Sequence, residues 1–400
     1  MKIMMASLSF KPDGISEYPG VNRYAIGLVK ALTYRGIQVR VVTPMRGSQN
    51  PFERWNGIEI VRIKDTKSLF GRIGTVAFSN LLSFGVNLQH RPELFDDINL
   101  LQTDIPLPSR GPLLQAVPLV YVIHHTYRVW TGGDLLWTPM AIMAARNTAK
   151  AADAVVTPSQ TVAQEASKEY DIPPSKIRAI YHGVDAGLFQ PSSHARPYDE
   201  DSRSEILYVG LLEKRKGIAE LLTAFTRVRA AEPRAKLILI GRGPERAKVI
   251  ETCARFNLAD SVLIRENLSD SELVLEIDRA DVFVLPSMQE GFGFAAVEAM
   301  ACGKPVVGFD TPINREVIGN GGILVPKGDS EALASAIRAL ITDPALARTL
   351  GATARRIVTE RYDWKTTAEE YHKVYESFAA VERFSSRRNP SLKFFLGGGP

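Results

Sequence analysis

Short apolar runs alternate with amphipathic helical stretches along this chain, in two series separated by one polar interruption, and this pattern restricts the fold more than any other feature. In the first series MKIMMASL (1–8) reads as a strand, VNRYAIGLVKALTYRG (21–36) as a helix with Tyr24, Leu28 and Leu32 on one face, and IQVRVVTP (37–44) as the next strand. LVYVIHH, TPMAIMAARNTAKAA, AVVTPS, QTVAQEASKEY and IRAIYHGVD continue it in the order strand, helix, strand, helix, strand. The stretch PSSHARPYDEDSRSE (191–205) is polar and aperiodic and reads as a linker or surface loop. The pattern then restarts with EILYVG and runs through KLILIG, SVLIRE, DVFVLPS, PVVGFD and GGILVP as strands, with helical stretches or short elements between most of them, to SEALASAIRALITD as a helix. Strand and helix in turn imply parallel βαβ units, so the expectation is α/β, two Rossmann-like doubly wound domains over residues 1–190 and 191–363. A last helix, about 364–384, carries Trp364, Tyr371, Val374, Phe378 and Val381 as an apolar stripe that must pack on something. Residues 385–400 read as a disordered tail, with a weak membrane-surface contact as the alternative.

Composition removes several function classes. With 45% hydrophobic and 23% charged residues the chain is of the ordinary soluble globular kind. A net charge of +5 without a long Lys/Arg block suits anionic ligands but gives no nucleic-acid signature. Cys253 and Cys302 have neither metal-ligand spacing nor a disulfide framework, so no metal site and a reducing, cytoplasmic setting are expected. The acidic triplet Asp199, Glu200, Asp201 lies in the polar stretch and reads as a solvated loop. The uncharged run 73–89 is too polar for a membrane span; a core helix is expected there, with an interfacial helix on the cytoplasmic face of a membrane as the alternative.

The most informative stretch is EGFGFAAVEAMACGKPVV (290–307). The strand DVFVLPS runs into a loop, and Gly291, Phe292 and Gly293 open a helix whose free N–H groups and dipole suit a phosphate. Glu290 and Glu298 bracket that turn, and carboxylates repel phosphate but accept hydrogen bonds from vicinal hydroxyls. Eight helical residues rise about 12 Å, roughly the span from a sugar to a ribose across a diphosphate. The ligand suggested is a nucleotide-sugar, with Glu290 on the sugar and Glu298 on the ribose; a surface glutamate and a helix-face glutamate is the alternative. VGLLEKRKG (209–217) follows another strand end and brings Arg215 and Lys216 as cations for a leaving diphosphate. In the first series Gly20, with Asn22 and Arg23, opens a helix, and His124 and His125 end a strand, where a histidine bonds a sugar hydroxyl, acts as acid or base, or is structural.

On these residues the chain resembles retaining glycosyltransferases of the GT-B fold, in the large family 4. The carriers, in order, are GVNRYAIGLVKAL (20–32), with Pro19-Gly20 where two glycines are usual; ADAVVTPSQTVAQEASKEYDIPPSKIRAIYHGVDAGLF (152–189), with His182 where Asn is usual; YVGLLEKRKG (208–217); LILIGRGPE (237–245); and LPSMQEGFGFAAVEAMACGKPVV (285–307), the E-x7-E signature. The similarity spans about residues 1–380 and is most specific in the second half. It implies that Glu290 contacts donor sugar hydroxyls, that Gly291, Phe292 and Gly293 offer backbone N–H groups, and that Glu298 holds the ribose. It further implies that Lys216 neutralises the diphosphate, that His124 lies near the transferred sugar, and that Gly241, Gly243, Asn267 and Leu268 lie near the base. Many members carry Arg where this chain has Leu211, so Arg215 or Arg242 supplies that charge or Lys216 acts alone.

The resemblance implies two domains facing across a cleft and a sugar moved, with retention, from a nucleotide-diphosphate-sugar donor to a saccharide or lipid-linked acceptor, with no cofactor. No carboxylate pair is placed for double displacement, which favours front-face attack. A nucleotide-sugar epimerase of the same fold and a non-catalytic nucleotide-sugar-binding protein are the alternatives. A nicotinamide oxidoreductase is disfavoured, because the first strand leads to SFKPDG rather than G-x-G-x-x-G.

Overall fold

The computed structural model describes residues 1–12, 19–45, 49–64, 88, 91–107, 117–126, 138–191 and 204–379. The tail, the acidic triplet, Val381 and, apart from the buried Leu88, the run 73–89 lie outside these. The chain forms two units, Met1–Ile180 with the C-terminal segment from Thr367, and Tyr181–Thr366. The second begins at Tyr181 because the segment that follows packs into it: Val184 and Phe189 belong to its core.

The first unit holds β1 (Lys2–Ala6), β2 (Gln38–Met45), β3 (Phe52–Trp55), β4 (Ile58–Lys64), β5 (Leu100–Thr103), β6 (Leu119–Val122), β7 (Ala154–Thr157) and β8 (Ile177–Ala179). They form one sheet in the order β3-β4-β2-β1-β5-β6-β7-β8. Neighbours are parallel except β3 and β4, joined by a tight turn in which Asn56 and Gly57 have φ of 48° and 80°. Every residue of β5, β6 and β7 is buried, as a parallel sheet covered on both faces requires. Chain order reverses between β1 and β5, making a switch point there.

Helix Trp364–Ala379 closes this unit. Its buried face runs through Ala368, Tyr371 and Tyr375, while Val374 and Phe378 of the expected stripe are only half-buried. The reason is polar. Gln102 on β5 donates through Nε2 to the Tyr24 hydroxyl at 2.9 Å, Tyr24 and Tyr371 hydroxyls are 3.0 Å apart, and Tyr375 donates to Gln102 Oε1. These four side chains are at most 1% exposed, so each supplies a partner that another would otherwise lack. Burial, before any neighbouring charge, pushes all three phenol pKa values upward and keeps them protonated.

The second unit holds β9 (Glu205–Val209), β10 (Lys236–Ile240), β11 (Val262–Arg265), β12 (Val282–Leu285), β13 (Val306–Phe309) and β14 (Gly322–Val325) in the order β11-β10-β9-β12-β13-β14, all parallel. Alternate strand residues face two different cores. Ile206, Leu237, Leu239, Val282 and Val284 pack with helices Ile218–Ala231 and Ser330–Thr342. Leu207, Ile238, Ile240, Phe283 and Leu285 pack with helices Asp270–Arg279, Phe294–Ala301, Pro312–Val317 and Pro344–Arg361. Helices on both faces of a parallel sheet define the doubly wound architecture. The switch point falls between β9 and β12. Helix Pro344–Arg361 is fastened beside helix Phe294–Ala301 by Arg355, which donates to the carbonyls of Ala301 at 2.6 Å and Phe189 at 2.9 Å. A Cβ on Gly351 would meet the Gly303 carbonyl oxygen at 2.0 Å, so only glycine allows this approach.

Replacing Gln102 by Leu leaves two buried phenols short of a partner and is expected to cost about 1–3 kcal/mol. Hydrogen exchange of the β5 amides measures that loss, and unchanged opening energies would contradict the network's role.

Candidate functional site

Because the strands of the second unit are parallel, the loops that follow β9, β10, β11 and β12 all emerge at one sheet edge. Most of the second unit's candidates lie there: Arg215 and Lys216 after β9, Gly241 and Gly243 after β10, Asn267 and Leu268 after β11, and 290–293 after β12. The loops after β9 and β12 are neighbours across the switch point. Lys216 Nζ lies 2.5 Å from Glu290 Oε1, and Ser287 Oγ donates to the same oxygen at 2.9 Å. The Lys216 and Glu290 side chains are 14% and 10% exposed, so the pair is largely withdrawn from water but still reachable.

The backbone enforces this meeting. Met288 N donates to the Arg215 carbonyl at 2.9 Å. Gly217 has φ +69°, and a Cβ there would lie 1.8 Å from the Pro286 carbonyl oxygen. Glycine is therefore required for the short turn Lys214–Lys216 to lie against the end of β12. Gly241 and Gly243 act alike one strand further on: a Cβ would meet the carbonyl oxygens of Gly210 at 1.8 Å and Leu212 at 2.3 Å. The two loops are also tied by Leu212 N donating to Arg242 O at 2.8 Å and Glu245 N to Leu212 O at 3.0 Å. Asn267 turns the chain with φ 60°, and Leu268 packs on the core beneath.

Gly293, with φ 84°, is the N-cap of helix Phe294–Ala301, so the chain enters the helix four residues after Glu290, and the helix's positive end faces this edge. Glu298 lies within that helix and is 3% exposed. The Phe292 ring is buried and packs with Phe294 and Tyr362. Burial works to raise the pKa of Glu290, but the Lys216 charge and hydrogen bond, with Arg215 and the Ser287 hydroxyl, bring it below the ordinary carboxylate value. The carboxylate is therefore ionised at neutral pH. Its contribution to stability is present above the unfolded carboxylate pKa and is lost as pH falls through the lowered one. Arg215 is also paired with Glu213 at 2.8 Å.

The first unit's candidates form a separate set at the carboxyl ends of β1, β5 and β6. His124 follows β6; its ring meets Tyr24 edge-on at 4.6 Å, and its Nε2 lies 3.8 Å from Asp104 Oδ2. Asp104 follows β5, has a side chain only 1% exposed, and accepts from Ser7 Oγ at 2.6 Å and Leu8 N at 3.1 Å. Gly20 lies in the first turn of helix Pro19–Tyr34. Asn22 in that turn is engaged by the backbone: its Oδ1 accepts from Lys11 N at 2.7 Å, and its Nδ2 donates to Lys11 O at 3.2 Å. Ser287, Asp104 and Ser7, which the structure places beside the candidates Glu290 and His124, are residues that sequence reasoning did not name as candidates. A polar residue at a strand's carboxyl end was the available signal in each case.

Residues 192–357 match the family Glycosyl transferases group 1, and residues 18–188 match Glycosyltransferase Family 4. The chain is 30% identical over 286 residues to the glycogen synthase of Mycobacterium tuberculosis (strain CDC 1551 / Oshkosh), covering 70% of this chain and 68% of that protein. Among solved structures, sucrose-phosphate synthase from Thermosynechococcus elongatus superposes with a TM-score of 0.78 at 24% identity over 95% of this chain and 100% of that one. HepE of Anabaena, solved in complex with UDP and glucose, gives 0.72 at 21% identity over 95% and 100%. Two doubly wound units, both halves matched, and a relative at 30% identity lead to one conclusion: the chain belongs to the group 1 glycosyl transferases and has their GT-B fold.

Proposed function

We propose that this glycosyltransferase moves a hexose from a nucleotide-diphosphate-sugar to a saccharide or lipid-linked saccharide, with retention of anomeric configuration, in the synthesis of a polysaccharide or glycoconjugate. The observation that carries the reading is the Lys216–Glu290 pair at the β9/β12 switch point, beside the N-terminus of the helix that holds Glu298. A diphosphate needs fixed positive charge where the leaving oxygen develops its own charge; Lys216, with Arg215 near, supplies it. The N–H groups of Gly291, Phe292 and Gly293 are assigned to phosphate and sugar, the Glu290 carboxylate to sugar hydroxyls, and Glu298 to the ribose. Gly241, Gly243, Asn267 and Leu268 are assigned to the base end. His124 of the first unit keeps the place near the transferred sugar that the family resemblance implies, and Gly20, at a helix start, is assigned a phosphate or sugar contact. The UDP and glucose bound by HepE, a neighbour in fold, suit a donor of this class.

With Glu290 already engaged by Lys216, front-face attack is the chemistry favoured here. The bond from the anomeric carbon to the phosphate oxygen breaks with its electron pair going to the phosphate. The acceptor oxygen bonds the same face, and its proton passes to the leaving phosphate. No helix among the described residues is long and apolar enough to cross a membrane. The reaction is assigned to the cytoplasm, and with a lipid-linked acceptor to the cytoplasmic face of a membrane.

Incubation of the purified chain with UDP-, GDP- and ADP-sugars, with and without oligosaccharide acceptors, tests the reading. Slow hydrolysis of one donor and transfer with an unchanged anomer are expected; an epimerised sugar from donor alone, or binding without turnover, would overturn it. Lys216→Ala and Glu290→Gln are each expected to lower transfer about 10²–10³-fold, and full activity in either would remove that residue from the mechanism. Sugar-nucleotide binding should weaken only on the acid side of the ordinary carboxylate value, since the Glu290 pKa lies below it. In Lys216→Ala the burial effect is left with less opposition, so the acid limb should move to higher pH; calorimetric titration across pH 3–7 reads it, and an unmoved limb would contradict the pairing.

A further inference from the structure

The backbone around Glu290 is held by a cluster of rings whose remaining member comes from far away in sequence. Phe292 and Phe294 flank Gly293, directly after Glu290 and Gly291. The imidazole of His182, 1% exposed, is stacked on Phe294 with centroids 5.2 Å apart and planes 9° apart. It also meets Phe292 edge-on at 5.2 Å and 65°. Phe292 and Phe294 meet each other at 5.3 Å and 70°, so the three rings close a triangle. Tyr362 extends it, edge-on to Phe292 at 5.4 Å and to Tyr181 at 5.5 Å.

His182 is itself fixed by the backbone on either side. It lies two residues after the chain leaves the first unit at Ile180. Val184 N donates to Tyr362 O at 2.8 Å, and Val184 and Asp363 form an isolated parallel bridge. Gly183 is pressed so closely that a Cβ would meet Trp364 N at 2.5 Å. Tyr181 donates to Glu316 Oε1 at 3.0 Å and accepts from Arg361 Nη2 at 3.1 Å. The segment entering the second unit and the segment leaving it are thus bound side by side, and His182 projects from one of them onto the rings of the Glu290 loop.

We infer that His182 is a positioning residue: its ring, stacked on Phe294 and edge-on to Phe292, sets where Glu290 and the N–H groups of 291–293 stand. The inference rests on the donor-sugar reading of that loop. A carboxylate that must meet sugar hydroxyls as the glycosidic bond breaks is sensitive to small displacement, and about 1 Å of misplacement is enough to cost 10²-fold in rate. Aromatic contacts of this geometry constrain orientation as well as burying area. Lys216 is held separately, by the Gly217 approach to Pro286 and the bond from Met288 to Arg215, and does not depend on the ring cluster.

His182→Ala removes the stacking partner, and His182→Phe restores a ring of similar outline. With UDP-glucose as donor, His182→Ala is expected to lower kcat about 10–100-fold while the Kd for UDP, measured by calorimetry, changes less than about threefold. His182→Phe is expected to recover kcat to within about threefold of wild type. In proton–nitrogen correlation spectra without ligand, the Gly291 and Gly293 amide signals should move in His182→Ala and return in His182→Phe. Unchanged kcat and unchanged glycine signals in His182→Ala would overturn the inference. So would UDP affinity lost in step with kcat, or a Phe variant as impaired as the Ala variant. The spectra decide the positioning role even if the wild type turns over no UDP-glucose, an outcome that excludes UDP-glucose as the donor and leaves the kcat comparison to be made with the donor found in the screen above.

Discussion

The second unit is arranged around one ion pair, Lys216 with Glu290, held at the ends of two adjacent parallel strands. Withdrawing an ammonium and a carboxylate from water is costly unless each is well partnered. Here the attraction is completed by the Ser287 hydroxyl and by Arg215, enough to bring the Glu290 pKa below its ordinary value despite burial. The pair exists because β9 and β12 are neighbours at a topological switch, and because Gly217 lets one loop lie on the other. On the proposed reading, a diphosphate at this edge would meet a lysine already held in place and largely withdrawn from water, which would leave little reorganisation for the moment charge develops.

A second principle shared by both units is that rings and glycines, rather than further charges, fix the polar groups. In the first unit Tyr24 carries a hydrogen bond to Gln102 on one side and an edge contact to His124 on the other, so helix Trp364–Ala379 is linked through Tyr371 and Tyr375 to a strand-end histidine. In the second, Phe292 and Phe294 join the Glu290 loop to His182 and Tyr362. Such contacts are directional but uncharged, and they stiffen a site without competing for its ligand.

Much of this was legible in the sequence, and the parts that were not have physical reasons. The strands of the second unit stand out because each is a short apolar run, with β10, β12 and β13 buried on both faces, and the loop residues around Lys216 and Glu290 because glycine and charge coincide at strand ends. The edge hairpin of β3 and β4 was missed although Asn56-Gly57 marks its turn, since neither strand is uniformly apolar. β5 was missed because half of its four residues, Gln102 and Thr103, are polar and it makes no apolar run as the equally short β6 and β7 do, and Asp104 was lost with it. Helix Arg246–Arg255 buries only Val249 and Cys253, and helix Pro344–Arg361 presents Gly351 and Ala354 to its neighbour, a face too small to read as an apolar stripe. The C-terminal helix was found, but its buried face continues from Tyr371 to Tyr375 rather than to Val374, because a hydroxyl reaching Gln102 decides the rotation and hydrophobicity alone does not see it. His182 stood out only as a histidine where the resembling family usually has Asn, and its role was not legible because its ring partners lie more than a hundred residues away in sequence.

One titration bears on the whole arrangement. With selectively labelled lysine, the Lys216 side-chain signal is followed by NMR as UDP, GDP and ADP are added in turn to the full chain, and assigned by its disappearance in Lys216→Arg. If the pair is the diphosphate site, at least one nucleotide shifts that signal saturably, together with the amides of Gly291 and Gly293. A nucleotide that binds, by calorimetry, while leaving Lys216 and both glycines unmoved would contradict it.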